Sequence, residues 1–114
     1  MHLFLCYSKC STCKKARDFL KEHNISFQER DIKENRPSRK ELEAWTLLSG
    51  KSPRKFFNTS GLLYKSMNLK DKLDSMSREE QLELLSSDGM LVKRPLLITD
   101  DKVYIGFKDY EDLL

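Results

Sequence analysis

The chain opens with a nearly continuous apolar run and continues with apolar residues at helical spacing. The run covers residues 2–7 and is typical of a strand buried on both faces, in a sheet that helices cover. After Cys13 the spacing indicates a helix of about three turns that runs to near His23 and stops at Asn24. The apolar face of this helix holds Ala16, Phe19 and Leu20, and its polar face holds Lys14, Lys15, Arg17, Asp18 and Lys21.

Two further segments have the pattern of strands. Residues 25–32 alternate between apolar and polar side chains and include a second strand, so that strand, helix and strand form a βαβ unit with a right-handed crossover. Residues 96–99 and 103–105 flank the polar turn at residues 100–102, which indicates an antiparallel hairpin. We expect a closing helix over residues 109–114.

Two capping boxes predict helices in the middle of the chain. Ser38 with Glu41 begins a helix that ends at Gly50, and Ser77 with Glu80 begins another. The predicted order is therefore β-α-β, a helical insert at about residues 38–88, and then β-β-α. The apolar faces hold Leu42, Trp45 and Leu48 or Ser49 in the first helix and Leu82, Leu84 and Leu85 in the second, and short helices and turns are expected over residues 53–69.

Length, charge and hydropathy restrict the class of protein. A chain of 114 residues has the usual size of one domain, so we expect residues 1–114 to form a single domain. The formal charge of +3 is small and both signs are interleaved, which argues against direct binding to nucleic acid. The apolar stretches are far shorter than the ~20 residues that span a bilayer, and the start lacks a signal-peptide pattern. We expect a cytosolic protein that binds no membrane.

The candidate chemistry lies in a CxxC motif. In a reducing compartment such a motif is more often catalytic or metal-binding than structural. Cys10 and Cys13 are close enough to bridge because they lie one helical turn apart. Cys10 stands at the predicted helix N-terminus, where unpaired N–H groups, the helix dipole and the charges of Lys9 and Lys14 favour a thiolate. We predict that Cys10 is the attacking and leaving thiol and that Cys13 is the resolving thiol.

A zinc site is the alternative role for a CxxC motif. Zinc normally takes four ligands, and the remaining candidates are Cys6, His2 and His23, without a second CxxC. Cys6 falls inside the first strand, where a free cysteine usually belongs to the core. His23 is better explained as a helix-end cation and His2 as a surface residue. We therefore expect no metal and no cofactor.

Three motifs resemble those of the arsenate reductase (ArsC-like) and Spx family of thioredoxin-fold proteins. They are residues 7–16 (YSKCSTCKKA), residues 57–61 (FNTSG) with residues 64–65 (YK), and residues 93–98 (KRPLLI). The likeness runs over essentially the whole chain. It implies an α/β, thioredoxin-like (glutaredoxin-like) fold and a redox function for the dithiol.

The same resemblance assigns further site residues. It implies that Pro95 is a cis proline before the third strand, since X-Pro is the only bond at which cis costs as little as ~0.5–1 kcal/mol. Arg94 would then lie beside Cys10, where its planar donors stabilise a thiolate or hold an oxyanion. Without the resemblance, Arg94 reads as a surface arginine before an edge strand. Pro95, together with Ser11 and Thr12 in the family's active-site loop, would position the substrate.

The chain departs from glutathione-linked arsenate reductases, which lack the second cysteine and surround the oxyanion with additional arginines. Asn58 and Gly106 stand at two of those places, leaving Arg94 and, as a further candidate, Arg54. Arsenate held by one arginine would bind weakly, because each charged hydrogen bond contributes only ~1.5–3 kcal/mol.

The leading hypothesis is a thiol–disulfide oxidoreductase whose reductant is thioredoxin or a low-molecular-weight thiol. One alternative is an arsenate reductase in which Cys10 attacks the oxyanion. The other is an Spx-like regulator in which the dithiol senses oxidation and the domain binds RNA polymerase. This last reading ranks lower, because the chain stops after the expected last helix and lacks an extended tail of the Spx kind.

Overall fold

A mixed four-stranded sheet forms the centre of the computed structural model, which describes residues 2–114. The strands are β1 (His2–Cys6), β2 (Phe27–Asp31), β3 (Leu96–Ile98) and β4 (Val103–Ile105). Their order in the sheet is β2-β1-β3-β4, with β1 parallel to β2 and antiparallel to β3, and with β3 antiparallel to β4. The βαβ unit and the hairpin predicted from the sequence are both confirmed.

Within the described residues, five α-helices surround this sheet: α1 (Ser11–Glu22), α2 (Arg39–Ser49), α3 (Leu62–Ser66), α4 (Leu69–Lys72) and α5 (Arg78–Ser87). The last four lie between β2 and β3, which confirms a helical insert in this part of the chain. None of the helices within residues 2–114 is both long and apolar enough to cross a bilayer. Single 3-10 turns cover Pro53–Phe56, Leu73–Ser75, Gly89–Leu91 and Tyr110–Leu113.

Both predicted capping boxes are present. At α2, Ser38 Oγ accepts from the Glu41 N–H at 3.1 Å, and the Glu41 carboxylate accepts from the Ser38 N–H at 3.0 Å. Ser77 and Glu80 make the same reciprocal pair at α5, at 3.1 and 2.8 Å. Each pair satisfies two backbone donors that a helix start leaves free. Gly50 ends α2 with a φ of +69°, a conformation that glycine adopts without steric cost.

Two details of the predicted helices are wrong. Residues 109–114 form only a 3-10 turn over Tyr110–Leu113, because so short a segment cannot support a longer helix. In α2 the buried face consists of Leu42, Trp45 and Thr46, whereas Leu48 is 38% exposed and Ser49 is half-buried. The inward face is therefore rotated toward Thr46, whose hydroxyl bonds to the Glu43 carbonyl and so tolerates burial.

The sheet separates two hydrophobic cores. Successive side chains of a strand point to opposite faces, so Phe4 and Leu97 face one core while Leu5 and Leu96 face the other. We call the core next to α1 the α1-side core, and the one beneath α2 to α5 the insert-side core. The α1-side core comprises Phe4, Cys6, Cys13, Ala16, Leu20, Leu97, Tyr104 and Tyr110. The insert-side core comprises Leu5, Ile32, Leu42, Trp45, Phe56, Phe57, Tyr64, Leu69, Leu73, Leu82, Leu85, Leu91, Val92 and Leu96.

Candidate active site

Cys10 caps the N-terminus of α1. Its backbone is extended (φ −103°, ψ 115°), and its N–H donates to the Tyr7 carbonyl at 3.1 Å, which closes the turn between β1 and the helix. The Cys10 Sγ accepts a hydrogen bond from the Cys13 N–H at 3.3 Å. The sulfur therefore takes the place of the hydroxyl or carboxylate oxygen of an ordinary N-cap. This position at the helix start is the one predicted from the sequence.

The pKa of the Cys10 thiol is lowered from its ordinary value. Burial is the largest single influence and acts to raise it. Burial is outweighed by the sum of the hydrogen bonds from the Cys13 thiol and backbone N–H and of the positive charge and hydrogen bond of Arg94. Lys14, which was expected to contribute, instead pairs with Asp18 at 3.0 Å on the exposed face of α1.

Cys13 has the opposite character. Its side chain is fully buried, and its Sγ accepts from the Tyr7 N–H at 3.4 Å. Burial, followed by the hydrogen bond to Cys10 and the charge of Cys10, raises the pKa of Cys13 to about 12, although the Tyr7 N–H acts to lower it. At neutral pH, Cys13 is thus a protonated donor to a sulfur that ionises more easily. The pair is chemically asymmetric.

Arg94 and Pro95 lie where the resemblance implied. The Arg94–Pro95 peptide bond is cis, and Pro95 is buried directly before β3. The half-buried Arg94 guanidinium lies 5.1 Å from the centre of the Tyr7 ring, at the turn that leads to Cys10. Its Nη1 is buried without a hydrogen-bond partner among residues 2–114. The structure brings Arg94 to the thiol, and its role there remains a prediction.

A groove of about 970 Å³ opens beside Cys10. One wall comes from the loop before α3 and from α3 itself, and the other from the segments that flank β3 and β4. Thr12, Asn58 and Gly106, all considered in the sequence, line it with Cys10 and Arg94. Thr59, Ser60, Gly61 and Lys93 also line the groove and belong to motifs quoted from the sequence, without a site role assigned there. The sequence did not point to the remaining lining residues, which are Leu62, Leu63, Ser66, Asp88, Met90, Ile105, Phe107 and Lys108.

Two candidate positions lie elsewhere. Ser11 is the exposed first residue of α1 and does not line the groove, so the structure does not bring it to the predicted substrate site. Arg54 pairs with Asp74 in the insert and also lies outside the groove. Of the two arginines that the sequence left for an oxyanion, only Arg94 adjoins Cys10.

Cys6 belongs to the core, as predicted, but it has a charged neighbour. It is only 3% exposed, and its Sγ accepts from Arg17 Nη2 at 3.3 Å. Arg17, on the polar face of α1, also pairs with Glu29 at 2.7 Å, and it thereby folds back against β1 and β2. Burial raises the pKa of Cys6 despite this donor. Cys6 is therefore not an activated thiol.

Tyr110 is a site neighbour that the sequence did not reveal. It is 1% exposed, and its hydroxyl has no hydrogen-bond partner within the described part of the chain. Burial, and then the charge of Cys13, raise the pKa of Tyr110. The ring packs edge-on against Phe19 and Phe107, with centroids 5.8 and 4.9 Å apart. Only the fold could reveal this, because Tyr110 and Cys13 are distant in sequence.

The side chains considered above as zinc ligands do not form a metal site within the described residues. Within residues 2–114, no group of three or more His, Cys, Asp and Glu side chains is placed to hold a metal ion. His23 caps the C-terminus of α1, where its ring lies 4.3 Å from that of Phe19, and His2 begins β1. All three cysteines are free thiols. What the geometry offers is a dithiol at the edge of a groove.

Solved structures share this architecture. A crystal structure of an ArsC family related protein from Bacteroides fragilis has a TM-score of 0.94 and 49% identity, and the match covers 98% of this chain and 94% of that one. The crystal structure of a possible arsenate reductase from Streptococcus mutans UA159 has a TM-score of 0.91 and 45% identity, with coverages of 99% and 97%. These likenesses confirm the thioredoxin-like α/β fold.

Similar sequences include a protein of unassigned role and two regulators. The uncharacterized protein YusI of Bacillus subtilis strain 168 is 53% identical over 106 residues, which are 93% of this chain and 90% of YusI. The regulatory protein MgsR of the same strain is 32% identical over 108 residues, or 95% and 84%. The global transcriptional regulator Spx of Enterococcus faecalis strain V583 is 29% identical over 102 residues, or 90% and 76%.

The family model described as the ArsC family matches residues 5–112. This span includes all three motifs by which the sequence resembled the family, together with the dithiol, Arg94 and the walls of the groove. The match extends over nearly the whole chain and agrees with the solved structures. The chain therefore belongs to the ArsC family.

Proposed function

We propose that this chain is a thiol–disulfide oxidoreductase in which Cys10 attacks and Cys13 resolves. The observation that carries the proposal is the asymmetry of the pair: Cys10 is half-buried with a lowered pKa, whereas Cys13 is fully buried with a pKa of about 12. A thiolate is the nucleophile in exchange, so the more acidic and more accessible sulfur attacks first. Family membership supports oxidoreductase chemistry at this coarse level.

The proposed cycle has two exchange steps. The Cys10 thiolate attacks one sulfur of a substrate disulfide, the substrate S–S bond breaks, and the departing sulfur leaves as a thiolate that takes up a proton. Cys13 then loses its proton and attacks Cys10, which releases the second substrate sulfur and forms the Cys10–Cys13 disulfide. Two electrons have passed to the substrate. Thioredoxin or a low-molecular-weight thiol then supplies two electrons that reduce the Cys10–Cys13 disulfide. This step suits a reducing compartment such as the cytosol.

Arg94 has a defined part in this cycle. Its positive charge favours the Cys10 thiolate and therefore also favours Cys10 as a leaving group when Cys13 attacks. Among residues 2–114, Arg94 is the one arginine that the groove offers to an oxyanion. Thiol–disulfide exchange is consequently favoured over arsenate reduction, and arsenate-dependent oxidation of a thioredoxin pool is the assay that separates the two reactions.

A regulatory role is the second candidate function, and the likeness to MgsR and Spx favours it. In this version the same dithiol senses oxidation, and the chain binds RNA polymerase without turning over a substrate. Recovery of polymerase from a lysate under oxidising but not reducing conditions, and its loss in Cys10→Ser, would support regulation. Equal recovery from all three samples, or no recovery, would exclude it.

The oxidoreductase proposal is tested by trapping. We expect Cys13→Ser to accumulate a mixed disulfide with 2-hydroxyethyl disulfide, because Cys10 can attack but nothing resolves the product. Cys10→Ser should form no adduct, and Cys6→Ala is the matched control that should turn over like the unmodified chain. Intact-mass spectrometry reports each species. An adduct on Cys13 in Cys10→Ser would reverse the roles, and no adduct in any variant would refute the proposal.

A further inference from the structure

We propose that the groove beside Cys10 binds an extended segment of a partner protein, whose disulfide sulfur is flanked by an acidic and an apolar side chain. This inference rests on the proposed dithiol function and names its substrate class as protein disulfides. It follows from the size of the groove, from the charge of its walls and from the leucine and phenylalanine exposed along it.

The size of the groove indicates a substrate larger than a small molecule. At about 970 Å³ it reaches the upper end of the ~300–1,000 Å³ typical of sites for drug-sized ligands. An oxyanion or a single small thiol at Cys10 would leave most of this space filled with water. A stretch of several residues would occupy it. Cys10 lines the groove and would meet a sulfur carried by such a segment.

The charge of the walls favours an acidic segment. Lys93, Arg94 and Lys108 line the groove, and neither lysine makes an ion pair with a carboxylate among residues 2–114. Of the described residues, Asp88 is the one acidic residue in the lining, and its carboxylate already accepts the Met90 N–H at 2.9 Å. Both lysines are exposed and able to meet a partner carboxylate. Complementary charge at such a site provides selectivity and speeds association.

The groove also exposes apolar surface next to these charges. Leu62, at the start of α3, is 87% exposed, and Phe107 in the opposite wall is 37% exposed. Single exposed apolar residues are ordinary, but two that face one groove beside a reactive thiol indicate a contact surface. An apolar side chain of the partner would cover them. A lining that holds both apolar and basic groups matches a peptide that carries apolar and acidic side chains.

Uncharged polar groups complete the lining. Asn58, Thr59 and Ser60 form the turn before α3, and Ser66 lies at the other end of that helix. Gly61 keeps the turn close to Asn58, since a Cβ there would come within 2.8 Å of the Asn58 Nδ2. Hydroxyl and amide groups both donate and accept, as the backbone of an extended peptide requires. They suit a peptide better than a compact anion.

The reaction within the groove is the exchange already described. The partner's disulfide supplies the oxidant: Cys10 bonds to the flanked sulfur, the partner's other sulfur departs and is protonated, and Cys13 then displaces the partner as a thiol. The flanking charge and apolar side chain affect only binding and orientation. They should therefore change the rate for peptide disulfides and leave the rate for a small neutral disulfide unchanged.

The test compares three peptide disulfides that differ only in the residues flanking the cysteine, which are acidic, neutral or basic beside a constant leucine. With Cys13→Ser as the trap, we expect the acidic peptide to form its mixed disulfide about five- to tenfold faster than the neutral one, since two surface charge pairs contribute this much. The basic peptide should be the slowest. Raising the salt to 0.5 M should shrink the preference.

Substitutions in the lining test which residues cause the preference for the acidic peptide. Lys93→Glu with Lys108→Glu should reverse the order of the peptides, whereas Lys65→Glu, exposed on α3 but outside the lining, should preserve it. Leu62→Ser should slow all three peptides about threefold, because it removes apolar contact, and Leu47→Ser, exposed on α2, should not. Every rate is divided by that for 2-hydroxyethyl disulfide, which removes any change in the reactivity of Cys10.

The outcomes separate this inference from the proposed function. Equal rates for the three peptides, or a preference for the basic one, with normal reaction of 2-hydroxyethyl disulfide, would overturn the groove assignment alone. An acidic preference that survives the double charge reversal would also overturn it. Failure of every disulfide to react with Cys10 would instead refute the dithiol function. An acidic preference that reverses with the two lysines is the result that supports the inference.

Discussion

The two cores on either side of the sheet differ in the chemistry that they bury. The α1-side core encloses the thiols of Cys6 and Cys13 and the hydroxyl of Tyr110. The insert-side core is built from aliphatic and aromatic side chains, and ion pairs such as Arg30 with Glu41 lie at its outer surface. The buried thiols therefore all lie on one face of the sheet, while the other face holds the larger apolar core.

Buried polar atoms without a hydrogen-bond partner lower the stability of the fold. A buried polar group without a partner costs about 1–3 kcal/mol, and within the described residues the two such side-chain atoms are Arg94 Nη1 and Tyr110 Oη. Arg94 adjoins Cys10, and Tyr110 belongs to the α1-side core together with Cys13. The apolar burial of the insert-side core offsets this cost. Substitutions on the two faces should therefore affect different measurements.

The largest expected effect is the loss of exchange in Cys10→Ser. The variant lacks the attacking sulfur, so disulfide reduction should fall to background, while the free energy of unfolding changes little because the hydroxyl can cap α1. In the unsubstituted chain, peptide mapping after mild oxidation should find a Cys10–Cys13 bridge with Cys6 free. A dominant bridge to Cys6 would contradict the division of roles.

Leu82→Ala tests the opposite face. Leu82 is fully buried in the insert-side core, and its truncation should lower the free energy of unfolding by about 2–5 kcal/mol. The pH profile of Cys10 alkylation should not move, since no described atom of α5 enters the thiol's hydrogen bonds. Denaturant titration gives the first quantity and alkylation the second. A shifted profile would show that the two faces are coupled.

Ser77→Ala should have a smaller effect of the same kind. Removing the cap of α5 should cost ~1 kcal/mol of stability, because the Glu80 N–H loses its acceptor. Ser26→Ala, at an exposed position before β2, is the control and should stay within about 0.5 kcal/mol of the unsubstituted chain. Denaturant midpoints decide the comparison. If the two substitutions changed the stability equally, the capping box of α5 would not stabilise the chain.

Arg94→Ala should have the smallest effect of these substitutions, a modest change in the alkylation of Cys10. Without the guanidinium the pKa of Cys10 should rise, and alkylation near pH 7 should slow by about two- to fivefold, the range expected for one partly exposed charge interaction. Arg94→Lys should recover part of the rate because it keeps the charge. An unchanged pH profile in Arg94→Ala would make Arg94 an ordinary surface arginine.

Much of the fold could be predicted from local sequence patterns. The capping boxes at Ser38 and Ser77, the stop at Asn24 and the thiol at the start of α1 depend on neighbouring residues, and all of them appear in the structure. The short helices α3 and α4 have four or five residues each, too few for a periodic pattern. Tertiary contacts, not local signals, define such elements.

Part of the candidate site could also be predicted from the sequence. Cys10, Cys13 and Arg94 came from a motif and from a family likeness, and the fold brings them together. The contact of Arg17 with Cys6 was not predictable, because a charged residue on an amphipathic helix ordinarily faces solvent. The groove likewise depends on segments more than 40 residues apart in the chain, which only the folded sheet and insert bring to Cys10.

The most direct test of the central claim is the rate at which each cysteine is alkylated as a function of pH, read by mass spectrometry of the separated peptides. The lowered pKa predicts that Cys10 labelling rises with pH and that the midpoint of this rise lies below the ordinary value of a thiol. Cys13, with a pKa of about 12, should stay unreactive throughout that range. Faster labelling of Cys13, or a Cys10 profile centred at or above the ordinary value, would contradict the account.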